Sequence, residues 1–290
     1  DYVTKLNRQT ASDISVTSIF IQDQIDLSDN WKLMVGGRLD DFDITVDDIK
    51  NGTSESRNDN TFSPRAGVIY KPQENVSLYL SYSESFLPRS GEQFKSLSAT
   101  SARLDPDVFE STEVGMKVAL PNNMSLTAAY FDSEQVRAER DNDTGETSEV
   151  RGLTVDGFEI ELKGRVNDGL NLAIAYSDLS GETSSGGIPR EIPEHTLSAF
   201  AAWEVNEKLS VALGLTQQGE SKIKDNTPGL VLPEYTRVDL SAYYQVAPNL
   251  SVQMNVENLM DELYFPHSHS THQASVGESV NSRVSLRWTY

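Results

Sequence analysis

A two-residue period governs this chain. In the run beginning at Leu250, the positions Leu250, Val252, Met254 and Val256 are apolar, whereas Ser251, Gln253, Asn255 and Glu257 are polar. Successive side chains of an extended strand point to opposite faces, so this run makes one apolar face and one polar face. A helix would scatter the same residues around its circumference. The parity recurs at Val284, Leu286, Trp288 and Tyr290, at Leu197, Ala199, Ala201, Trp203 and Val205, and at Leu209, Val211, Leu213 and Leu215. It appears again at Val238, Leu240, Ala242 and Tyr244, at Val76, Leu78, Leu80 and Tyr82, and at Val114, Met116, Val118 and Leu120. About thirteen such runs can be counted, many near the roughly 9 to 11 residues with which a tilted strand crosses a bilayer. The expected class is all-β, with no convincing helix.

The connections sort into two alternating kinds. Tight turns fall at Ser28-Asp29-Asn30, Lys71 to Asn75, Pro121-Asn122-Asn123, Asn167-Asp168-Gly169, Asn206-Glu207-Lys208 and Pro248-Asn249, all rich in the residues that suit turns. Between them lie long polar connections, expected near 48–60, 87–108, 141–149, 183–192, 222–233 and 266–280. A soluble sandwich or propeller has no general reason to place long loops at one end and tight turns at the other. Outer-membrane barrels do, with short periplasmic turns, longer extracellular loops and an apolar outer face. Trp31, Tyr70, Tyr82, Tyr130, Trp203, Tyr244, Trp288 and Tyr290 lie where interfacial aromatic belts would require them. The pattern predicts an antiparallel up-and-down transmembrane β-barrel, against the alternative that these aromatics fill a soluble core.

Charge and composition narrow the function classes. With 44 acidic and 24 basic side chains the formal charge is −20, a field that repels phosphate backbones, so nucleic acid is not an expected partner. The acidic surface suits outer-membrane lipid and lipopolysaccharide bridged by divalent cations, although the solubility of long loops accounts for it equally well. The absence of cysteine excludes disulfides, thiolate metal sites and cysteine nucleophiles. No G-x-S-x-G, H-E-x-x-H or Walker loop is present, so no enzymatic activity and no cofactor are expected. Glu159 and Glu161 read as polar-face carboxylates of a strand rather than as an acid/base pair.

Particular segments resemble a known family. Val256-Glu257-Asn258-Leu259-Met260-Asp261-Glu262-Leu263-Tyr264 looks like the N-L-F-D-x-x-Y segment of TonB-dependent outer-membrane receptors, followed by Val276-Gly277 and a final strand ending in an aromatic residue. The segments from Phe62 to Pro72, Ser77 to Phe86, Phe109 to Lys117 and Pro233 to Tyr244 are similar to the barrel of siderophore receptors in that family. The stretch from Gly91 to Glu110 looks most like the catecholate-siderophore subgroup. Three positions depart from the family pattern: Met260 replaces phenylalanine, Glu278-Ser279-Val280 replaces x-Pro-Arg after Gly277, and Tyr290 replaces a terminal phenylalanine. The missing Pro-Arg alters the entry to the last strand.

The resemblance implies a barrel of about 22 strands with an N-terminal plug and a TonB-contacting box. The start at Asp1-Tyr2-Val3 supplies neither, and an odd strand count would leave the N-terminus outside. Residues 1–290 are therefore expected to form a single domain, the C-terminal portion of such a barrel. As a fragment, its first and last strands are expected to be open edges. The function implied is uptake of a ferric siderophore, of catecholate type, energised through the TonB complex by way of the absent N-terminal region. Haem or another iron chelate, and a passive porin-like channel, are the alternatives.

A ferric catecholate is a bulky anion with aromatic rings, which guanidinium groups suit by pairing with oxyanions and stacking on rings. The ligand candidates on the expected extracellular side are Arg89, Phe94, Lys95, Arg103, Arg137, Arg140 and Arg151. His269, in the cluster His267-Ser268-His269-Ser270-Thr271-His272, is a further candidate. Those imidazoles could ligate a metal or haem, but a catecholate already saturates its iron, and no metal site is assigned. Val284, Leu286, Trp288 and Tyr290 are candidates both for lipid contact and for the sorting signal read by the outer-membrane assembly machinery.

Overall fold

The computed structural model describes residues 9–88, 97, 104–140, 147–223, 229–270 and 273–289. Among the described residues there are seventeen strands: β1 (Thr10–Asp26), β2 (Trp31–Asp48), β3 (Thr53–Gln73), β4 (Val76–Leu87), β5 (Asp107–Leu120), β6 (Met124–Arg140), β7 (Thr147–Asn167), β8 (Leu170–Thr183), β9 (His195–Asn206), β10 (Leu209–Gln218), β11 (Ser221–Lys222), β12 (Val231–Leu232), β13 (Tyr235–Ala247), β14 (Leu250–Glu257), β15 (His267–Ser270), β16 (Gln273–Ser275) and β17 (Asn281–Trp288). Among the described residues, thirteen of them form one sheet in chain order, β1 to β10 followed by β13, β14 and β17. β11 pairs with β12 and β15 with β16 as separate two-stranded hairpins inside the long connections. The expected all-β antiparallel meander and its strand count are what the structure shows, with β1 and β17 at the ends of the strand order. No helix among the described residues is long and apolar enough to cross a membrane.

The chain divides into two compact units. One comprises Asp1–Ile69, Leu80–Thr112 and Ser133–Thr154, and the other Tyr70–Tyr79, Glu113–Asp132 and Val155–Tyr290.

Register makes the two faces of the second unit explicit. Leu172 pairs with Ala201 and Ile174 with Ala199, and Ala201 and Ala199 pair in turn with Leu213 and Leu215. The row continues through Leu213 to Leu240, Leu240 to Val256, Ala242 to Met254, Met254 to Val284 and Val252 to Leu286. The opposite parity carries Asp239, Ser241, Asn255, Gln253, Arg283 and Ser285. A one-residue slip anywhere would turn apolar side chains onto the polar face, so the alternation itself enforces this register. Leu286 and Trp288 remain 73% and 71% exposed, as expected of a face whose solvent is lipid rather than a protein core.

Aromatic residues mark the limits of the apolar stretch strand by strand. Trp31 opens β2, Trp288 closes β17, and Trp203 pairs with Leu170 at the start of β8. Tyr82, Tyr130 and Tyr176 each stand six residues beyond the first residue of their strands, about 20 Å along the chain. Each hydroxyl donates to a carboxylate, Tyr82 to Glu84 (2.6 Å), Tyr130 to Asp156 (3.2 Å) and Tyr176 to Asp178 (3.2 Å). An apolar ring body with a hydrogen-bonded polar tip is the arrangement that favours tyrosine at a membrane interface.

The tight turns are held by their own chemistry. Asn122 and Asn123 both take left-handed backbone angles, with φ of 60° and 59°, which match the twist of a two-residue hairpin and which asparagine tolerates. The Asn206 side-chain oxygen accepts from the N–H groups of Lys208 (3.0 Å) and Leu209 (3.1 Å), and that of Asn167 from Gly169 N–H (3.0 Å).

Two of the expected long loops are shorter than anticipated. Only 49–52 separate β2 from β3, so most of the polar stretch 48–60 is strand, and β7 already begins at Thr147. The residues from Thr53 to Asn60 are polar on both faces and offer no apolar contrast, yet their backbones belong to β3 all the same, since strand hydrogen bonds need no apolar side chain.

Candidate functional site

The long-loop end of the sheet is organised by one buried turn. Asn258 is 1% exposed and adopts φ 51°, a left-handed angle open to asparagine. Its Nδ2 donates to the carbonyls of Glu262 (2.9 Å) and Glu278 (2.9 Å), and its Oδ1 accepts from Glu262 N–H (2.9 Å). Its own N–H donates to Asp239 Oδ1 (2.8 Å), while Asp239 Oδ2 takes the fork of Arg237 at 3.2 and 2.9 Å. Asp261 Oδ1 accepts from Val280 N–H at 2.9 Å, just before β17. Asn258 and Asp261 of the N-L-M-D segment thus tie β13 and β14 to the entry of β17. The ties on that entry run through the backbones of Glu278 and Val280, so the departure from Pro-Arg leaves them in place.

Tyr264 completes this turn. Its buried ring lies against that of Tyr235, with centroids 4.8 Å apart, and its hydroxyl accepts from Arg237 at 3.3 Å. Gly277 passes directly over the ring, where any Cβ would stand 2.2 to 2.4 Å from three ring atoms.

A second tie joins two connections that are 77 residues apart. Glu191, between β8 and β9, accepts from the Ser268 N–H (2.6 Å) and hydroxyl (3.0 Å) in β15. Glu191 also takes φ 59°, an angle that costs most residues about 1 kcal/mol or more, and its N–H donates to the Lys222 carbonyl at 2.8 Å. Partial burial pushes the Glu191 carboxyl up, but the two Ser268 donors, with Arg190 and His267 nearby, outweigh it and hold it below the ordinary glutamate range. A depressed carboxylate lends stability above its unfolded pKa and loses it as pH falls through the lower folded value. Protection of the Ser268 amide, corrected for intrinsic exchange, is therefore expected to hold at neutral pH and to fall on acidification below the ordinary glutamate range. Glu191→Ala should remove it at neutral pH by about tenfold or more. Unchanged protection in Glu191→Ala would show that the tie carries no weight.

The polar face of each unit bears a cleft. In the first unit a cleft of about 550 Å³ is bordered by Arg38, Asp40, Arg65 and the serines Ser63, Ser81, Ser83 and Ser85. Arg38 Nε forks onto Asp40 at 2.8 and 2.9 Å, and Ser18 Oγ bridges the pair. Arg65 donates to Gln22 at 3.1 Å and forms no ion pair among the described residues. In the second unit a cleft of about 470 Å³ is lined by Tyr79, Glu113, Lys117, Glu159 and Glu161. The E-x-G-x-K spacing of β5 makes a cradle for Tyr79. Glu113 accepts its hydroxyl at 2.5 Å, Lys117 Nζ stands 5.5 Å from its ring centre, and a Cβ on Gly115 would meet the ring at 2.6 Å. Such walls can bind and orient polar groups.

The sequence-level ligand candidates lie wholly or by their side chains outside the described residues. Arg89, Phe94, Lys95 and Arg103 lie outside the described residues. Arg137 and Arg140 fall near the end of β6, Arg151 in β7 and His269 in β15, with side chains outside the described set. Val284, Leu286 and Trp288 share one face of β17, and Tyr290 lies outside the described residues. Among the described residues no group of three or more histidine, cysteine, aspartate or glutamate side chains is arranged to hold a metal. Arg38, Arg65 and the Tyr79 cradle were not legible as sites from spacing alone; their signal is a cation or tyrosine at a polar-face position of a strand.

The comparisons with known proteins agree with this architecture. A family model described as TonB dependent receptor-like, beta-barrel, matches residues 1–259. The siderophore receptor PiuA of Acinetobacter baumannii is 26% identical over 100% of this chain and 43% of its own length. Its crystal structure superposes with a TM-score of 0.85 at 25% identity, covering 97% of this chain and 44% of that one. The metal-pseudopaline receptor CntO of Pseudomonas aeruginosa is 27% identical over 96% of this chain and 41% of its own. The closed form of the ferric-catecholate import receptor Fiu of E. coli K12 gives a TM-score of 0.83 over 96% of this chain and 45% of that one, and at 21% identity it speaks to the fold alone. The chain spans less than half the length of the curated relatives it matches.

Proposed function

The chain belongs to the TonB-dependent receptor β-barrel family of the bacterial outer membrane, and from that premise we propose that its full-length protein takes up a ferric siderophore with energy delivered through TonB. The observation that carries this reading is the two-faced sheet of β8 to β17, apolar on one registered face and polar on the other. A polar inner wall beneath laced loops suits binding and passage of a large polar chelate. The relatives named above are receptors, and their ligands differ among siderophores and metallophores.

The catecholate type is the finer reading, supported by the resemblance of the stretch from Gly91 to Glu110 to that subgroup. The proposed contacts are Arg89, Phe94, Lys95, Arg103, Arg137, Arg140, Arg151 and His269. Residues 1–290 are proposed as the C-terminal part of the barrel, with the plug and TonB-contacting box supplied by preceding sequence. Val284, Leu286, Trp288 and Tyr290 are proposed as the sorting signal as well as lipid contacts, with lipopolysaccharide as a neighbour of the acidic loops.

Tryptophan fluorescence of the full-length receptor, titrated with a ferric catecholate, a ferric hydroxamate and haem, tests the reading. Saturable quenching by the catecholate in preference to the others is the expected result. Preference for the hydroxamate would overturn the subgroup, and binding of haem alone would move the site to His267, His269 and His272. A receptor that binds none of the three would sink the siderophore reading itself.

A further inference from the structure

The chain holds one Asn-Gly pair, Asn51-Gly52, in the turn that joins β2 to β3. Both residues are exposed. The two strands run 18 and 21 residues, against the roughly 9 to 11 that cross a bilayer, and β2 starts at the interfacial Trp31, so the far ends and their turn stand in water. Gly52 takes φ 68° with open space around it, and it carries no Cβ to shield its own nitrogen. An asparagine so placed has a reaction open to it that needs no enzyme. The Gly52 backbone nitrogen attacks Asn51 Cγ; the N–Cγ bond forms, the Cγ–Nδ2 bond breaks, and the Gly52 proton leaves with Nδ2 as ammonia. Water then opens the succinimide ring at either carbonyl and leaves aspartate or isoaspartate.

In the folded turn both reacting groups are held by Asp48. Asn51 Nδ2, the leaving group, donates to Asp48 Oδ2 at 2.7 Å, and the Asn51 N–H donates to Oδ1 at 3.0 Å. The Gly52 N–H, the nucleophile, donates to the Asp48 carbonyl at 2.8 Å. Ring closure requires this nitrogen to give up its proton and align on Cγ, which the closed turn opposes. The leaving nitrogen must gain a proton, and an ionised carboxylate is an acceptor only and supplies none. Negative charge developing on the attacked amide also meets the Asp48 carboxylate at short range. Geometry, proton supply and charge all raise the barrier, and all three act through one side chain and the turn it closes.

We propose that Asn51 is a deamidation site of the β2–β3 turn and that the Asp48 carboxylate slows the reaction by holding the leaving amide. The product removes its own restraint. A second carboxylate stands where Nδ2 donated to Asp48, so like charges replace a hydrogen bond, and isoaspartate adds a methylene to the backbone of the turn. Conversion therefore loosens this hairpin tip irreversibly, whatever ligand the receptor takes.

The test is peptide mass spectrometry of the full-length receptor after incubation at neutral pH in heavy-oxygen water, which labels only the acid formed during the incubation. A synthetic peptide spanning Asp48 to Thr53 is the unrestrained reference. The wild-type receptor should accumulate labelled aspartate and isoaspartate at Asn51, about tenfold more slowly than the peptide, the scale of two hydrogen bonds at an exposed site. Asp48→Ala should bring the rate up to that of the peptide. Asp48→Asn keeps the size of the side chain but turns one acceptor into a donor, and it should also convert faster than the wild type. Adding Gly52→Ala to Asp48→Ala should slow conversion severalfold, because a methyl group then crowds the attacking nitrogen. A wild-type rate equal to that of the peptide, an Asp48→Ala rate equal to the wild type, or no labelled product in either protein while the peptide converts would each overturn the proposal. Conversion undiminished by Gly52→Ala would overturn it too, since the backbone nitrogen would then not be the nucleophile.

Discussion

Replacing Asn258 by glycine in the full-length receptor is expected to open the connection between β14 and β17 without unfolding the sheet. The side chain makes three hydrogen bonds to backbone groups of Glu262 and Glu278 at a position 1% exposed. Removing them leaves two carbonyls and one N–H of a part-buried turn without their partners, at a cost of about 2 to 4 kcal/mol. Glycine accepts the φ of 51° without strain, so this variant reports the hydrogen bonds alone, while Asn258→Ala adds a backbone penalty on top. Hydrogen exchange at Glu262 and Val280 should accelerate by about a hundredfold or more in both variants, with alanine the faster. Exchange in Asn258→Gly within about threefold of the wild type would mean that the turn is held by other contacts.

Gly277→Val should have an effect of similar size by the opposite means, overcrowding rather than loss. Its Cβ would stand 2.2 Å from Tyr264 Cζ, and the ring has no easy retreat, being 7% exposed and packed at a tilt against Tyr235. Moving it breaks the bond from Arg237, and moving Gly277 breaks the bond from its N–H to the Tyr264 carbonyl at 2.8 Å. A cost of about 3 kcal/mol or more is expected, visible as rapid protease cleavage between β14 and β17 in the assembled receptor. Tyr264→Ala is itself destabilising, but the double variant should be better than the sum of the two by about 2 kcal/mol, because the valine then has room. Strict additivity would show that the clash is relieved elsewhere.

Legibility followed the range of the interactions involved. The alternation at Leu250 to Glu257 and at Val284 to Trp288 gave the strands, their faces and the sidedness of the turns. The N-L-M-D segment was visible as a motif, but its work, hydrogen bonding to Glu278 and Val280 across the connection, was not. The polar run from Thr53 to Asn60 looked like a loop, since neither of its faces is apolar. Tyr79, Glu113, Gly115 and Lys117 were each legible as polar-face positions, yet the cradle they form needs the pairing of neighbouring strands. The ligand candidates were chosen by charge and by family resemblance, which name residue types without bringing their side chains together.

The sequence by itself determined which side chains of each strand point to lipid and which to the polar interior. Successive Cβ atoms of an extended backbone alternate whatever the strand pairs with, so this property needs no partner. Only the tertiary structure decided that Glu191 meets Ser268 and that Asn258 reaches Glu278. Those meetings depend on strand order, register and the path of each connection, which are set when distant segments pair and which no local periodicity encodes.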